Sequence, residues 1–592
     1  MREVIRHYRQ YLQEEHHAKK AQGIDILFRS VEDRVALGEA WQGQVLRCTR
    51  REAEVQLRSC AGLKLRQGDH VLVSAPGAKG FDVARAPLAE VRAIAGGQLS
   101  LRWLWGQLHE SPFAFRHRQA RYQPGDECVV SPSLDSPSLQ IAHDALVELE
   151  EAGPGKPHRL YDAVFGAISP APVLQPLALP DLDLNSRQQQ AVSLALCAPV
   201  AAIVGPPGTG KTHTLAAVVR AHLAARGNQP RVVLALAPTW AALEELRERL
   251  RDEEQALTLD ADTKRERIEA KLRRGSGSLV LLSTVYCALK KHAVLSGLGI
   301  SLLVLDEASQ VPMAVALGLD LLIPPAANVL LVGDHHQLGP VQHADWERDE
   351  RSWVKSSHPH ISVLEAALPR VPRVVLEESY RLRPEVADLA GAVYEPEGGR
   401  LRGLARPPRL RPATGDVWQG VVSGQWPIVL VEPVGGTDRT SSDVQAAIVQ
   451  TLVEACLAMG LTSEDLGVIV PYRAQIARIL DRCPQLDGQV DTVDRFQGAE
   501  RDTVIYATAS AMPEYIASVE RFAYDPRRTH VALTRARRLC VVVASTAFLC
   551  HLSRDLQVAA AQRVLRRLRD DSEILTEAVI LGRRVTVRGW PR

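Results

Sequence analysis

Residues 205–212 read Gly-Pro-Pro-Gly-Thr-Gly-Lys-Thr, between the apolar run Ala201-Ala202-Ile203-Val204 and the helical-looking Thr214-Leu215-Ala216-Ala217-Val218-Val219. A strand, a glycine-rich turn and a helix start, in that order, build a cradle for phosphates. Glycines let successive N–H groups turn inward, and the helix N-terminus adds its positive dipole end. In such a cradle Gly205, Pro206, Pro207, Gly208, Thr209 and Gly210 supply backbone. Lys211 reaches the β- and γ-phosphates and the Thr212 hydroxyl ligates Mg²⁺. Lysine is scarce, 11 of 71 basic residues, yet one stands where a point charge on phosphate is needed. Binding of a nucleoside triphosphate with Mg²⁺ is the expected chemistry.

Two later segments carry what hydrolysis of that triphosphate needs. Ser301-Leu-Leu-Val-Leu-Asp306-Glu307-Ala308-Ser309-Gln310 is an apolar strand ending in two carboxylates. Asp306 is placed to hold the cation, and Glu307 to orient and deprotonate an attacking water opposite the leaving oxygen. Asn328-Val-Leu-Leu-Val-Gly333-Asp334-His335-His336-Gln337-Leu338-Gly339-Pro340 is a second such strand, and its Gln337 is placed to contact the γ-phosphate and report its loss.

Elements of two textures must position these groups. From about Gly38 to Val130 short β-like runs alternate with turns at Gly68-Asp69 and Gly96-Gly97, the spacing of a small barrel. Before it, Val4, Ile5, Tyr8, Tyr11 and Leu12 share one helical face; after it, Leu139, Ala142, Leu146 and Leu149 do the same. Prolines at 154, 157, 170, 172, 176 and 180 then mark a linker. From 181 onward apolar strands alternate with helical stretches in two successive sets, which predicts α/β domains with parallel sheets. The charged segment from Arg247 to Arg274 reads as one or two exposed helices, and the chain after about residue 550 as a helical, Arg-rich tail.

Composition bounds the rest. At 592 residues three or four domains are expected. Hydrophobic content of 46% and charged content of 24% are those of a soluble protein, and a net charge of +2 permits nucleic acid without arguing for it. Nine cysteines without a C-x-x-C exclude a zinc module and fit a reducing compartment. With no signal-peptide pattern and no apolar stretch of 18 residues, a cytoplasmic protein off the membrane is expected.

Four further segments complete a recognisable set: Leu184-Asn-Ser-Arg-Gln188, Glu378-Ser-Tyr-Arg-Leu-Arg-Pro384, Val493-Asp-Arg-Phe-Gln-Gly-Ala-Glu-Arg-Asp502 and Asp525-Pro-Arg-Arg-Thr-His-Val-Ala-Leu-Thr-Arg-Ala536. With the motifs above they resemble, in order over about 181–548, the superfamily 1 helicases, in particular the nonsense-mediated-decay helicase and senataxin-like branch. The resemblance implies two RecA-like P-loop domains plus an N-terminal β-barrel accessory domain on helical stalks. Residues 1–37 would be a stalk helix, 38–135 the barrel, and 136–180 the second stalk helix and Pro-rich linker. The first RecA-like domain would span 181–372, with a helical insertion near 247–274; the second, with the helical tail, 373–592.

The resemblance also assigns roles. Gln188 would read the adenine edge, with Gln189 and Gln190 leaving the register open. Tyr380 would stack on adenine; Arg381 and Arg535 would reach the γ-phosphate from the second lobe; Gly498 and Glu500 would line its side of the cleft. Pro238, Thr239, Ser283 and Thr284 from the first lobe, and Pro471, Tyr472 and Arg495 from the second, would track a nucleic acid backbone. Trp240 is balanced between that role and core packing. The implied protein is a monomeric, ATP-driven motor moving 5′ to 3′ on single-stranded nucleic acid. The arginine bias leans slightly toward DNA over RNA, and no protein partner is specified. The alternative is a nucleotide-gated remodeller or clamp without duplex unwinding. Two departures stand out: His530 where the family usually has Asn, and Gln445-Ala446 where Glu-Ala is usual.

Overall fold

The computed structural model describes residues 1–590 apart from 37, 60–62, 64, 66–67, 105–118, 135, 154–157, 167–182, 225–230, 252–255, 261–262, 275–277, 396–398 and 413–414. The proline-rich linker expected at 153–180 falls largely outside the described residues. Among them no helix is long and apolar enough to cross a membrane.

Six strands close a barrel: β1 (Trp41–Cys48), β2 (Glu52–Leu57), β3 (His70–Ser74), β4 (Leu88–Ala95), β5 (Gln98–Trp103) and β6 (Glu127–Pro132), in the order β1-β2-β5-β4-β3-β6. Alternate residues such as Val55, Leu99, Leu101 and Val130 fill its interior. The helix Arg2–Leu27 runs beside Pro137–Ala152, and Ile5, Tyr8, Tyr11 and Leu12 are buried in the same core as Ala142, Leu146 and Leu149. Polar clamps fix this stalk to the chain downstream of Gln337. The buried Glu15 carboxylate accepts the N–H of His343 at 2.9 Å and of Ala344 at 3.0 Å, and the indole N–H of Trp346. Arg351 pairs with Glu14 at 2.6 Å.

The first lobe is a seven-stranded parallel sheet of β7 (Val200–Val204), β8 (Val232–Ala237), β9 (Ala256–Thr258), β10 (Leu279–Thr284), β11 (Ile300–Leu305), β12 (Asn328–Gly333) and β13 (Arg373–Val375), ordered β13-β7-β12-β11-β8-β10-β9. Helices cover both faces, so its strands are apolar throughout. In β7, Val200, Ala202 and Val204 enter one core while Ala201 and Ile203 enter the other. A short parallel pair, β14 (Glu378–Ser379) and β15 (Arg402–Gly403), follows. The second lobe contains β16 (Ile428–Pro433), β17 (Leu466–Val470), β18 (Val490–Thr492), β19 (Arg501–Ala507), β20 (Ala536–Val543), β21 (Glu573–Ile580) and β22 (Arg583–Gly589), ordered β18-β17-β19-β20-β16-β22-β21.

Three expectations are corrected. The second lobe does not begin at 373, because β13 pairs in parallel with β7 and completes the first sheet. The segment 247–274 is only partly helical among its described residues. Its three-residue strand β9 extends the sheet beside β10, and the helix Arg265–Arg274 packs through buried Ile268. The C-terminus is not wholly helical either: β22 pairs antiparallel with β16, and Val585 and Val587 enter the second-lobe core. The alternating Val-Thr-Val of β22 and the turn at Leu581-Gly582 carried that signal beside the stronger arginine pattern.

Candidate active site

The loop after β7 is shaped by backbone that only glycine adopts freely. Gly208 and Gly210 have φ of +72° and +77°. A Cβ on Gly208 would lie 2.4 Å from the Cβ of Arg381 and 2.7 Å from the hydroxyl of Ser379, so close approach of the next segment also demands glycine. That segment is tied to the loop: the Ser379 hydroxyl donates to the Pro207 carbonyl at 2.7 Å, and the Tyr380 N–H to the Gly208 carbonyl at 2.9 Å. Thr209 donates to the Pro206 carbonyl at 2.7 Å. Lys211 opens the helix Lys211–Ala224, and its ammonium donates to the Gly205 carbonyl at 2.8 Å.

Of the three candidate glutamines, Gln188 faces this loop. Asn185 and Gln188 form a reciprocal capping box on the helix Ser186–Cys197, and the Gln188 amide donates to the Thr209 carbonyl at 3.1 Å. Gln189 instead donates to the Leu184 carbonyl and Gln190 accepts from Arg187. Above the loop, Tyr380 is 53% exposed, its hydroxyl accepting from the Asn185 amide at 3.0 Å, which leaves a ring face open to the cleft.

Asp306 ends up buried just past β11, with Glu307 beside it in left-handed backbone at φ +48°. Such strain in a non-glycine residue is tolerated where geometry matters more than comfort. Burial, and then the neighbouring Glu307, push the Asp306 carboxyl up to about 7, against the pull of the Glu307 N–H and the Lys211 ammonium. A divalent cation there would restore its ionised form. The Asp306 carboxylate and Thr212 hydroxyl are hard oxygen donors of the kind Mg²⁺ takes. Among the described residues no cluster of three or more His, Cys, Asp or Glu surrounds a metal position, so a cation here needs phosphate oxygens to complete its shell.

The opposite wall comes from the second lobe. Arg535 is 2% exposed; its guanidinium donates to the Gln337 side-chain oxygen at 2.7 Å and to the Val531 carbonyl at 3.1 Å. Burial, and then the Arg381 guanidinium, bring Arg535 down to about 9. Glu500 holds both Arg381 and Arg537. The walls enclose a cleft of about 960 Å³ whose lining includes Gln188, Lys211, Thr212, Glu307, Gln337, Tyr380, Arg381, Gly498, Glu500 and Arg535. Arg537, Arg249 and Arg406 also line it, and motif reading missed them. Arg537 is the second residue of β20, two positions beyond Arg535, and is held at the cleft by Glu500.

The residues expected on nucleic acid lie outside this cleft. Thr239 follows β8 and Thr284 ends the adjacent β10, and each caps a helix, accepting from the N–H of Ala242 and of Cys287 at 3.3 Å. Pro238 is half-buried beside Thr239, and Trp240 is 49% exposed, so the core does not use its ring. Ser283 is a correction: it is fully buried and its hydroxyl donates to the Thr284 carbonyl at 3.1 Å, out of reach of a backbone at the surface. In the second lobe Pro471 and Tyr472 follow β17 and Arg495 follows its neighbour β18. Tyr472 packs on Phe522 at 5.5 Å, and Arg495 pairs with Asp491 at 3.6 Å.

Two family models, each described as an AAA domain, match residues 188–343 and 360–547. The DNA replication ATP-dependent helicase/nuclease JHS1 of Arabidopsis thaliana is 26% identical over 425 residues, 66% of this chain and 30% of that protein. The ATP-dependent helicase NAM7 of Saccharomyces cerevisiae is 28% identical over 449 residues, 66% of this chain and 44% of that protein. The crystal structure of arterivirus nonstructural protein 10 (helicase) is 14% identical with a TM-score of 0.35, covering 87% of this chain and 80% of that one. The chain thus spans less than half the length of these two curated relatives.

Proposed function

We propose that the chain is a superfamily 1 helicase of the nonsense-mediated-decay branch, hydrolysing ATP to move along single-stranded nucleic acid. One observation carries this most directly: Glu307 from the first lobe and Arg535 from the second line the same cleft, so both can address one γ-phosphoryl group.

The loop backbone and Lys211 hold the phosphates, Gln188 and Tyr380 hold adenine, and Thr212 with Asp306 would hold Mg²⁺. When bound, Mg²⁺ neutralises charge building on the β- and γ-oxygens. Glu307 takes the proton of the attacking water, and Arg381 and Arg535 stabilise the transferring group from the far side. Glu500 holds Arg381 until a phosphate competes for it. Because Arg535, and the Glu500 that holds Arg381, come from the second lobe, hydrolysis and product loss would change the attraction between the lobes. Strand ends carrying Pro238, Thr239 and Thr284 on one lobe and Pro471, Tyr472 and Arg495 on the other would then alternate their grip on the track. One chain supplies both walls, so a monomer suffices. Movement 5′ to 3′ follows family resemblance, a cytoplasmic setting follows the unpatterned cysteines, and the arginine-rich composition leans toward DNA.

The test is ATP turnover with single-stranded DNA and with single-stranded RNA, together with fork substrates of each polarity. Stimulated turnover with strand displacement from the 5′-tailed fork is expected. Stimulation without displacement on any fork would favour the remodeller, and none by either nucleic acid would end the proposal. Glu307→Gln is expected to keep ATP and nucleic acid bound while stopping turnover.

A further inference from the structure

The helix Pro526–Leu533 carries His530 where the resembling family usually has Asn, and the proposed chemistry does not use it directly. His530 is nonetheless buried in a continuous polar chain. Its Nε2 lies 3.0 Å from the hydroxyl of the fully buried Tyr394. That hydroxyl lies 2.7 Å from Oδ2 of the fully buried Asp334, and the same oxygen accepts the Gln337 amide at 2.7 Å. The Gln337 oxygen in turn accepts from Arg535 at 2.7 Å, and Arg535 donates back to the carbonyl of Val531, the residue after His530, at 3.1 Å. The circuit leaves the second lobe at His530, crosses to the first at Asp334 and returns at Arg535.

Proton directions follow from the donors available. Asp334 is held below the usual carboxylate range: burial opposes this, but His530, Lys211, Gln337 and Tyr394 outweigh it. An ionised carboxylate only accepts, so the single Tyr394 proton goes to Asp334, and Nε2 of His530 must carry a hydrogen toward the Tyr394 oxygen. Asp334 likewise takes the NH₂ end of Gln337, which leaves the carbonyl end facing Arg535. We infer that His530 is a positioning residue: through Tyr394 and Asp334 it keeps the Gln337 amide in the orientation that aims Arg535 at the γ-phosphate. This rests on the proposed reading of the cleft as an ATP site.

The experiment measures kcat and KM for nucleic-acid-stimulated ATP turnover, with affinities for ADP and for ADP–aluminium fluoride. It uses the wild-type chain, H530A, H530Q, Y394F and the H530A/Y394F double variant. H530A and Y394F are each expected to lower kcat at least about tenfold with KM within about twofold of wild type. Both should weaken ADP–aluminium fluoride far more than ADP. H530Q, whose amide nitrogen reaches about as far as Nε2, should recover most of the loss. The double variant should be no worse than the poorer single, since both cut one chain. Wild-type kcat in Y394F, which removes a single oxygen, would overturn the inference even if H530A failed to fold. Equal loss of both ligands or multiplying effects would overturn it as well. A wild-type protein that neither binds ADP nor hydrolyses ATP would take down the ATP-site reading together with it, whereas failure confined to the variant pattern removes this inference alone.

Discussion

The first-lobe wall of the cleft is built around one contiguous run, 205–212, whose turn is set by glycine dihedrals and by bonds of Thr209 and Lys211 within the run. The facing wall is assembled from segments between residues 381 and 537, and Arg381, Arg535 and Arg537 on it are each tied to a side chain distant in sequence. The first wall is preformed by local rules: glycine dihedrals, a helix start, a lysine returning to the loop. The second exists only when both lobes are folded and adjacent. Ground-state binding of phosphate can therefore survive damage to the second wall, while transition-state stabilisation, which needs both, cannot.

Arg535→Ala should break this comparison most sharply. Arginine fingers are worth roughly 10³–10⁵ in rate, so kcat should fall on that scale while ADP affinity stays within a few fold. Titration with a fluorescent ADP beside steady-state turnover checks it; a collapse of affinity with kcat preserved would reverse the division between the walls. Lys211→Ala should show the converse, with nucleotide affinity falling about a hundredfold as one charge-assisted contact is lost. Normal ATP affinity in that variant would count against the phosphate cradle.

The smallest effect is a pH dependence that the two lobes share. Burial pushes His222 in the first lobe and His530 in the second down to about 4. In the unfolded chain each would titrate near 6.5, so between these values the unfolded state binds more protons. Stability is fully present above about 6.5 and is lost as pH falls through 4, by roughly 1 kcal/mol per histidine at pH 5.5. The gap between urea midpoints at pH 7.5 and 5.5 should narrow by about half when either histidine becomes Gln, and close only when both do. An unchanged gap would mean that neither ring is shielded as described.

This contrast also explains what could be read in advance. The phosphate loop, the acidic strand end at Asp306 and the strand carrying Gln337 are contiguous signals whose meaning depends on neighbours a few residues away. The choice of Gln188 over Gln189 and Gln190 depended on a capping box and a carbonyl 21 residues on, Thr209. Ser283 was misjudged because being on the end of a strand does not say which face its side chain takes. The strand β9 was hidden by its three-residue length in a run of charge. In β22 the pairing partner β16 is more than a hundred positions upstream, and no local pattern names it.

The barrel is anchored through the stalk, where Glu15 grips the backbone at His343 and Ala344 a few residues past Gln337, which lines the cleft. It also touches the opposite lobe, through the ion pair of Glu39 with Arg473. A body bolted to one jaw and resting on the other must slide whenever the jaws change their gap. The Glu39–Arg473 ion pair is thus the contact on which any change in the gap between the lobes would bear first.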